Sequence, residues 1–393
     1  MSAKGFIPTF AIYKGGENIT ARFQDRAVSI VVQLSSGRGD PDSCDIILDD
    51  RDWLIASPKK GDRIQVYLGY EGIGVTLMNN FEVNSVNYSF TPKAITVRCT
   101  AASSLNDLKS TVIAEYKDKT VEQILAEAGS KIGFKANVHK SIADEKIPFL
   151  NQTMSFGQLI GKLEQHYDAV AKINDGKVSL TPRSGGVSVS DISVPTYVLR
   201  PYNFADLNVM VDAASEYAKT SASYTDKETN KRVWVDEKSM LKDLSTDAEH
   251  KIGTLYNSKD EAQKAAESAQ AQLDRATGKI TGRLAEGDVW VRDGQRIVVT
   301  ECRDGINGAY VLDLVVHSYT KGGALTTSFS GTAGVNGLAE EYQEGSNSAQ
   351  FLETGPGQVF GQVIPIVPQQ DGTKLDRPFT SVPSFFDQQF PVN

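Results

Sequence analysis

The sequence predicts a mainly β protein with an α/β insert, an α+β architecture that places two β-barrels in one chain. Three observations lead to this prediction. Within the first 335 residues, short segments with alternating apolar residues occur near both ends. Segments with the apolar spacing of helices are concentrated between them. One pattern of turn and strand occurs twice. The chain has 393 residues, of which 40% are hydrophobic, enough for roughly two to three domains with their own cores.

Residues 1–105 are predicted to form the first barrel. In "PKKGDRIQVYLGY" a Pro/Gly turn leads into an alternating strand, where Ile64, Val66 and Leu68 share one face. Two more strands in "NNFEVNSVNYSFTPKAITVRCTA" are joined at "TPKA". Several strands at this spacing favour a small barrel or sandwich.

Residues 106–195 are predicted to form the α/β insert. "TVEQILAEAGSKIGF" has a Thr at its start, helical apolar spacing and a Gly at its end. "SFGQLIGKLEQHYDA" is a second helix with Ser155 as its N-cap, and "AVAKINDGKVSLTPR" is a hairpin that turns at Asn174, Asp175 and Gly176.

Residues 196–335 return to strand character and are predicted to form the second barrel, interrupted by a long helix over residues 258–277. The Ala, Glu and Gln of this helix favour helix formation, and its lack of large apolar residues indicates a surface or partner-facing position. Residues 336–393 are rich in Pro and Gly and cannot build a core of their own. We interpret them as an extended C-terminal arm that lies on something else.

One turn and strand is written twice, more than two hundred residues apart. Gly61–Ile64 reads "GDRI" and Gly294–Ile297 reads "GQRI". The hairpin strands "FEVNSVNYSFT" and "YVLDLVVHSYT" follow in the same order, with apolar residues at matching places. We interpret the echo as a duplication. A homotrimer of such a chain would present six similar units in a pseudo-hexameric ring, closed by heterologous contacts.

Composition excludes several classes of function. The net charge of -8 argues against specific nucleic-acid binding, which relies on a basic surface. The three Cys are far apart and without zinc-ligand spacing, and no run of about 18 apolar residues predicts membrane insertion. No cleaved signal is expected at "MSAKGFIPTF", so we expect synthesis in the cytoplasm.

Two acidic clusters are weak candidates for chemistry. "LEQHYDA" brings Glu164, His166 and Asp168 together, but residues two apart do not share a helix face. "DPDSCD", over residues 40–45, lacks the Gly and Glu of a calcium loop. We therefore expect no catalytic, cofactor-binding or metal-binding residues and no enzymatic activity.

The order of these segments resembles the late control protein D family of contractile-tailed phages, baseplate hub proteins related to the N-terminal part of type VI secretion VgrG spikes. "IPTFAIYKGGENIT", "DIILDD" and "PKKGDRIQVYLGY" resemble the family's first barrel, and "TVEQILAEAGSKIGF" with "NQTMSFGQLIGKLEQHYDAVAKINDGKVSLTPR" its insert. "GRLAEGDVWVRDGQRIVV" resembles its closing barrel. Each motif alone is weak, but they run collinearly over residues 5–333. The arm lies outside this resemblance.

The resemblance implies a structural role. Such hubs are homotrimers with barrels like those of tail-tube proteins, and they join the hexameric tail tube to the trimeric central spike in the virion baseplate. They leave a lumen for the tape measure protein and then for DNA, and they border the baseplate wedge proteins. This chain would then be a tail protein assembled in the host cytoplasm.

We expect the functional residues to be contacts with partners. The long helix would present Gln263, Gln270 and Gln272 to a neighbouring subunit or the tube, and the arm would anchor to the spike or another baseplate protein through four aromatic side chains, Phe379, Phe385, Phe386 and Phe390. Two alternatives stay open at this point: a hub-associated peptidoglycan hydrolase, and a tail module that binds the host envelope.

Overall fold

A computed structural model describes residues 7–36, 41–101, 108–109, 111–174, 176–183, 196–241, 244–334 and 351–353 of the chain. These residues are mainly β, as the sequence predicts. The first part consists of eight elements: β1 (Pro8–Lys14), β2 (Glu17–Asn18), α1 (Thr20–Phe23), β3 (Ala27–Ser35), β4 (Ser43–Asp49), β5 (Arg63–Tyr70), β6 (Gly74–Ser89) and β7 (Ala94–Thr100).

The middle part has its own hydrophobic core and two small sheets, one of two strands and one of three. Thr120 and Ser155 cap its two longer helices, each in a capping box with the Gln three residues later, which satisfies the first amides of the helix. The elements are β8 (Thr111–Thr120), α2 (Val121–Ser130), β9 (Lys135–Val138), α3 (Lys140–Ala143), β10 (Lys146–Ser155), α4 (Phe156–Tyr167), β11 (Ala169–Asn174) and β12 (Lys177–Pro182).

The last part adds more strands to the main sheet and forms a small three-stranded sheet, which packs against one long helix. That helix begins after its N-cap Ser258 and ends before Thr277, which agrees with the sequence prediction. The elements are β13 (Thr196–Leu199), β14 (Phe204–Val211), β15 (Lys219–Thr225), β16 (Arg232–Lys238), β17 (Glu249–Tyr256), α5 (Lys259–Ala276), β18 (Gly278–Leu284), β19 (Arg296–Val299), β20 (Gly308–Thr320), β21 (Leu325–Ala333) and β22 (Phe351–Glu353).

The strands of the first and last parts belong to one 14-stranded sheet, and within it one strand order occurs twice. The first half runs β3-β4-β7-β6-β5-β1, and the second half runs β14-β18-β21-β20-β19-β13. The corresponding strands also follow each other in the same order along the chain. One difference is that β1 is antiparallel to β5, whereas β13 is parallel to β19. Closure of each half into a barrel stays a prediction.

The two halves share irregularities as well as strand order. A β-bulge at Asn84 shifts the register between β6 and β7, and the same bulge at Asp313 shifts the register between β20 and β21. A second bulge occurs at Val28 in β3 and at Ala205 in β14. Because a bulge fixes the register and bend of its strand, shared bulges are strong evidence that the halves are equivalent.

The repeated Gly-x-Arg-Ile motif forms the same turn in both halves. The Gly61 amide donates to the Val83 carbonyl at 2.9 Å, and the Gly294 amide donates to the Leu312 carbonyl at 2.7 Å. Both glycines have positive φ, +85° and +71°, which an L side chain rarely adopts. The sequence echo therefore encodes a turn that sets where the following strand meets its neighbour, just before the bulge.

The two halves meet in a ladder between β3 and β20. It runs antiparallel from the pair Ser35–Leu314 to the pair Ser29–Thr320. A single hydrophobic core extends across this junction, and the rings of Phe10 and Tyr319 pack edge to face with centroids 5.0 Å apart.

His317 is buried in this core next to the junction. Its Nε2 lies 3.0 Å from the Val291 carbonyl and its Nδ1 lies 3.0 Å from the Thr327 hydroxyl. Since a carbonyl only accepts, the proton sits on Nε2 and the hydroxyl donates to Nδ1. Burial, together with the charge of Arg292, lowers the pKa of His317 to about 3.

Substitution of the turn glycines tests the equivalence of the halves. We expect Gly61→Ala and Gly294→Ala each to cost about 1 kcal/mol in the free energy of unfolding, because Ala disfavours positive φ. The new methyl group has room at both sites, so the backbone conformation sets the cost. Gly161→Ala in α4 is the control and should stabilise, since Ala favours helix. Denaturant titration measures all three, and clearly unequal losses at the two turns would contradict equivalence.

Acid should destabilise the fold through His317. The folded-state pKa lies below the unfolded value, so the unfolded chain binds more protons between pH 6.5 and about 3, and stability falls as the pH falls through that window. We expect His317 to contribute about 2–4 kcal/mol of this loss. His317→Asn keeps a donor and an acceptor without the titration, so its unfolding free energy should depend less on pH. An identical pH dependence in both proteins would contradict this assignment.

Candidate assembly interface

Glu164, His166 and Asp168, the acidic cluster at the end of α4, each make contacts that stabilise the fold. Glu164 accepts a hydrogen bond from the Ala171 amide at 2.6 Å, and His166 packs edge to face against Tyr167. Burial lowers the pKa of His166 to about 4. Asp168 ends the helix in a left-handed conformation and binds Arg275. The three side chains thus have different partners and do not form a shared acid–base site.

Metal and thiol chemistry have little support in the described ranges. No group of three or more His, Cys, Asp or Glu there is arranged to hold a metal ion. Cys44 and Cys99 lie opposite each other in β4 and β7 as buried free thiols, and burial raises the pKa of Cys99 to about 12. No helix within those ranges combines the length and the apolar content needed to cross a membrane.

The long helix α5 uses its three predicted contact residues inside the chain. Gln270 is 2% exposed, and its amide group binds the Thr220 hydroxyl and the Asp274 carboxylate, each at 2.8 Å. Gln263 donates to Glu237 of β16 at 3.0 Å, and Gln272 is half-buried. Gln270 is therefore not on the surface, because the helix packs between two parts of the protein. Partner contacts of Gln263 and Gln272 stay a prediction.

One face of α5 contacts the C-terminal end of α4. Ser268 and Gln272, one turn apart, both donate to the Gln165 carbonyl at 2.9 Å. One turn further on, Arg275 forms a two-pronged ion pair with Asp168 and is almost fully buried. Donors and a positive charge at the end of a helix satisfy its last carbonyls and its dipole. Helix α5 therefore connects the insert to the small sheet of β15, β16 and β17.

A buried ion cluster joins the insert to both halves of the large sheet. The Lys172 ammonium in β11 lies 2.6 Å from Asp42 of the first half and 2.6 Å from Asp293 of the second. It also donates to the Ser35 carbonyl at 3.1 Å. Burial alone would lower the pKa of Lys172, but the two carboxylates outweigh burial and raise it.

Two arginines reinforce this joint. Arg183, at the end of the insert, binds Asp313 at 2.7 Å, the bulge residue of β20. Arg292, in the second-half turn, donates to the Leu77 and Met78 carbonyls of β6. The first half, the insert and the second half thus meet around the repeated turn and bulge. These polar contacts hold the relative orientation of the three parts.

An exposed apolar patch lies at the end of the β6–β7 hairpin. Trp53, Leu54, Tyr88 and Phe90 are each more than half exposed, and the Trp53 and Phe90 rings lie 5.8 Å apart. Clustered exposed aromatic residues are typical of interaction surfaces. Sequence analysis missed this patch, because its members come from a loop and a hairpin that only the fold brings together. We call these four residues the hairpin patch.

A second exposed apolar stretch lies on β14. Met210 and Val211, at the end of this strand, are both exposed. A shallow groove of about 510 Å³ runs beside the strand and is lined mainly by β14 and β18, with Arg283 and Phe329 among its residues. Its mixed polar and apolar lining carries neither Cys nor His.

Comparison with known proteins identifies relatives among phage tail components. A probable baseplate hub protein of Escherichia phage P2 is 26% identical over 190 residues, which cover 48% of this chain and 49% of that protein. The probable baseplate hub protein of Escherichia phage 186 is 24% identical over 194 residues, 49% of each. The chain is similar to phage baseplate hub proteins. It spans about half the length of the curated relatives it matches.

Solved structures show that the fold is shared with phage tail proteins. The 43 kDa tail protein of prophage MuSo2 from Shewanella oneidensis superposes with a TM-score of 0.61 at 12% identity, covering 84% of this chain and 98% of that one. A tail protein from Neisseria meningitidis MC58 gives 0.60 at 12% identity, covering 83% and 97%. No protein-family model matches the chain. The resemblance to hub proteins expected from the motifs is thereby confirmed.

The remaining predicted contact residues belong to the C-terminal arm. Phe379, Phe385, Phe386 and Phe390 lie outside the described residues, and so does Asp40 of the acidic loop. Asp42 of that loop is described, and it binds Lys172. The loop therefore contributes to the joint between the parts of the chain.

Removal of the Lys172 charge should destabilise the joint. Lys172→Met leaves two buried carboxylates without their cation, and we expect a loss of about 3–5 kcal/mol in the free energy of unfolding. Burial already raises the pKa of Asp42, and loss of the Lys172 charge should raise it further, so the loss should be smaller at pH 5 than at pH 8. Lys177→Met, on the exposed side of β12, is the matched control. An equal, pH-independent effect of both changes would show that Asp42 and Asp293 do not depend on the Lys172 charge, and would contradict the prediction.

Proposed function

We propose that this chain is a structural baseplate hub of a contractile phage tail or a related injection system. Two observations support the proposal: its similarity to proteins named probable baseplate hub proteins, and a fold shared with prophage tail proteins. In this role the chain is a virion protein of the tail baseplate, assembled in the host cytoplasm, and acts by binding partners rather than by catalysis.

The hub acts as a homotrimeric adaptor. Its upper face binds the hexameric ring of the tail-tube protein, its lower face holds the trimeric central spike, and wedge proteins surround it. The observation that carries this proposal is the repeated half, with the same strand order, turn and two bulges. Three copies of a duplicated unit present six equivalent surfaces, and six surfaces match a hexameric ring.

The same geometry leaves a lumen along the axis. In the proposed hub the lumen passes the tape measure protein and then DNA. The overall charge of -8 is compatible with this role, because an acidic chain does not bind DNA tightly. The buried ion cluster around Lys172 holds both halves and the insert in a fixed orientation, and an adaptor that transmits force between its partners needs such a fixed orientation.

Native mass spectrometry of the full chain, alone and with the tail-tube protein of the same particle, tests the proposal. We expect a trimer that binds the hexameric tube ring with one trimer per hexamer. Tube subunits held below their assembly concentration serve as the control, since they offer no ring to bind. A chain that stays monomeric and ignores the tube ring would contradict the adaptor.

A further inference from the structure

We propose that the outer edge of β14 pairs with the C-terminal half of β6 in a second copy of this chain. The pairing repeats, between copies, the ladder that joins the two halves of one chain. This inference rests on the proposed trimer and specifies its interface.

The two halves differ in how their edges are covered. In the second half, the C-terminal part of β20 has β21 on one side and β3 on the other. In the first half, the equivalent part of β6 pairs with β7 alone among the described strands. Similarly, β3 has partners on both sides, whereas its equivalent β14 pairs with β18 alone within the described residues. The first half of the chain thus presents one strand of such a junction, β6, and the second half presents the other, β14.

The shared registers give the pairing residue by residue. Ile64 pairs with Phe81 in β6 as Ile297 pairs with Tyr310 in β20, so positions in β6 and β20 correspond throughout. Within the chain, Val316 of β20 pairs with Gln33 of β3. The equivalent positions are Asn87 of β6 and Met210 of β14. Asn87 should therefore lie opposite Met210 of the second copy.

The neighbouring positions follow from the same correspondence. Val86 should pair with Val211 of the second copy, as Val315 pairs with Leu34 within the chain. Two residues further along β6, Tyr88 takes the place of His317.

Exposure is reversed between the two junctions. Leu34 and Tyr319 are 2% and 8% exposed at the internal junction. Their equivalents Val211 and Phe90 are 58% and 73% exposed in the isolated chain. Positions that are buried in the core at the internal junction are apolar but exposed at the equivalent outer edges. Covering the exposed positions with the second copy removes apolar surface from water. The hairpin patch lies at this end of β6, so the second copy covers part of it.

Neither edge carries the features that keep isolated edges from pairing. The β6 segment "SVNYSF" has no charge and no Pro, and "FADLNVMV" of β14 has one charge, Asp206, which already binds Arg283. Exposed edge strands ordinarily carry Lys, Pro or inward-pointing charges that prevent association. Two edges with no charge beyond the paired Asp206, and with matching register, are instead suited to bind each other.

The pairing closes a ring rather than a symmetric dimer. β14 of one copy contacts β6 of the next, so the contact is heterologous and every copy keeps one edge of each kind. In a trimer, internal and external junctions alternate around six halves. Among the described strands, the β6 and β14 edges of every copy are then paired.

Cross-linking in the full chain tests the register. We use Asn87→Cys with Met210→Cys in a Cys302→Ser background, which removes the partly exposed native thiol; the other two native thiols are buried. Directly opposite residues in a sheet lie close enough for a disulfide. Mild oxidation should give covalent dimers and trimers on a non-reducing denaturing gel. The control pairs Asn87→Cys with Val211→Cys, whose side chains leave opposite faces of the strands and should not link.

A charge on the edge tests its contribution to assembly. Val211→Asp should raise the dissociation constant of the trimer by at least about tenfold, because the ring would bury an unpaired carboxylate. Leu255→Asp, on a similarly exposed aliphatic residue of β17, should leave it unchanged. A trimeric wild-type protein in which the designed pair does not link, whether or not the control pair does, would overturn the inference and leave the proposed hub intact. A wild-type chain that stays monomeric with the tube ring would overturn the proposed hub itself.

Discussion

The antiparallel ladder between β3 and β20 is the contact on which the rest of this structure depends. It joins segments nearly three hundred residues apart and turns two similar halves into one sheet with one core. Such a non-local contact costs chain entropy, so it must bury apolar surface to form. Ile30 and Leu34 from one side and Val315 and Tyr319 from the other provide that surface.

The insert and the long helix are positioned from this ladder by polar contacts. Lys172 reaches one carboxylate from each half, and Arg183 reaches the bulge of β20. Buried ion clusters add little net stability, because desolvation offsets the attraction. They do penalise every arrangement in which a charge loses its partner. The cluster therefore specifies the orientation of the parts more than it strengthens the fold, and a fixed orientation is what the proposed hub would require.

Local features of this fold were readable in the sequence, and non-local pairings were not. Alternating apolar residues and the Gly-x-Arg-Ile turn predicted the strands, and Ser155 and Ser258 marked helix starts. The periodicity of a strand does not show which other strand it pairs with. The single 14-stranded sheet and the Lys172 cluster therefore could not be predicted. Gln270 illustrates the limit: a polar residue on an Ala-rich helix looks exposed, but a buried Thr220 hydroxyl and Asp274 satisfy it.

The two halves resemble each other in backbone more than in side chains, and the difference has a physical reason. Glycine turns and bulges set register without fixing the neighbouring residues. The internal junction forms as the chain folds, and there Val31 pairs with Ser318 and Val316 pairs with Gln33, both valines being half-buried. At the equivalent outer positions stand Asn208 and Asn87. In the proposed ring, a free subunit would have to stay soluble until it meets its neighbours and then bind them, and an edge that mixes amides with a few exposed aromatic residues meets both requirements. If the proposed pairing between copies holds, divergence of the halves is what a duplicated subunit with one permanent and one assembling junction requires.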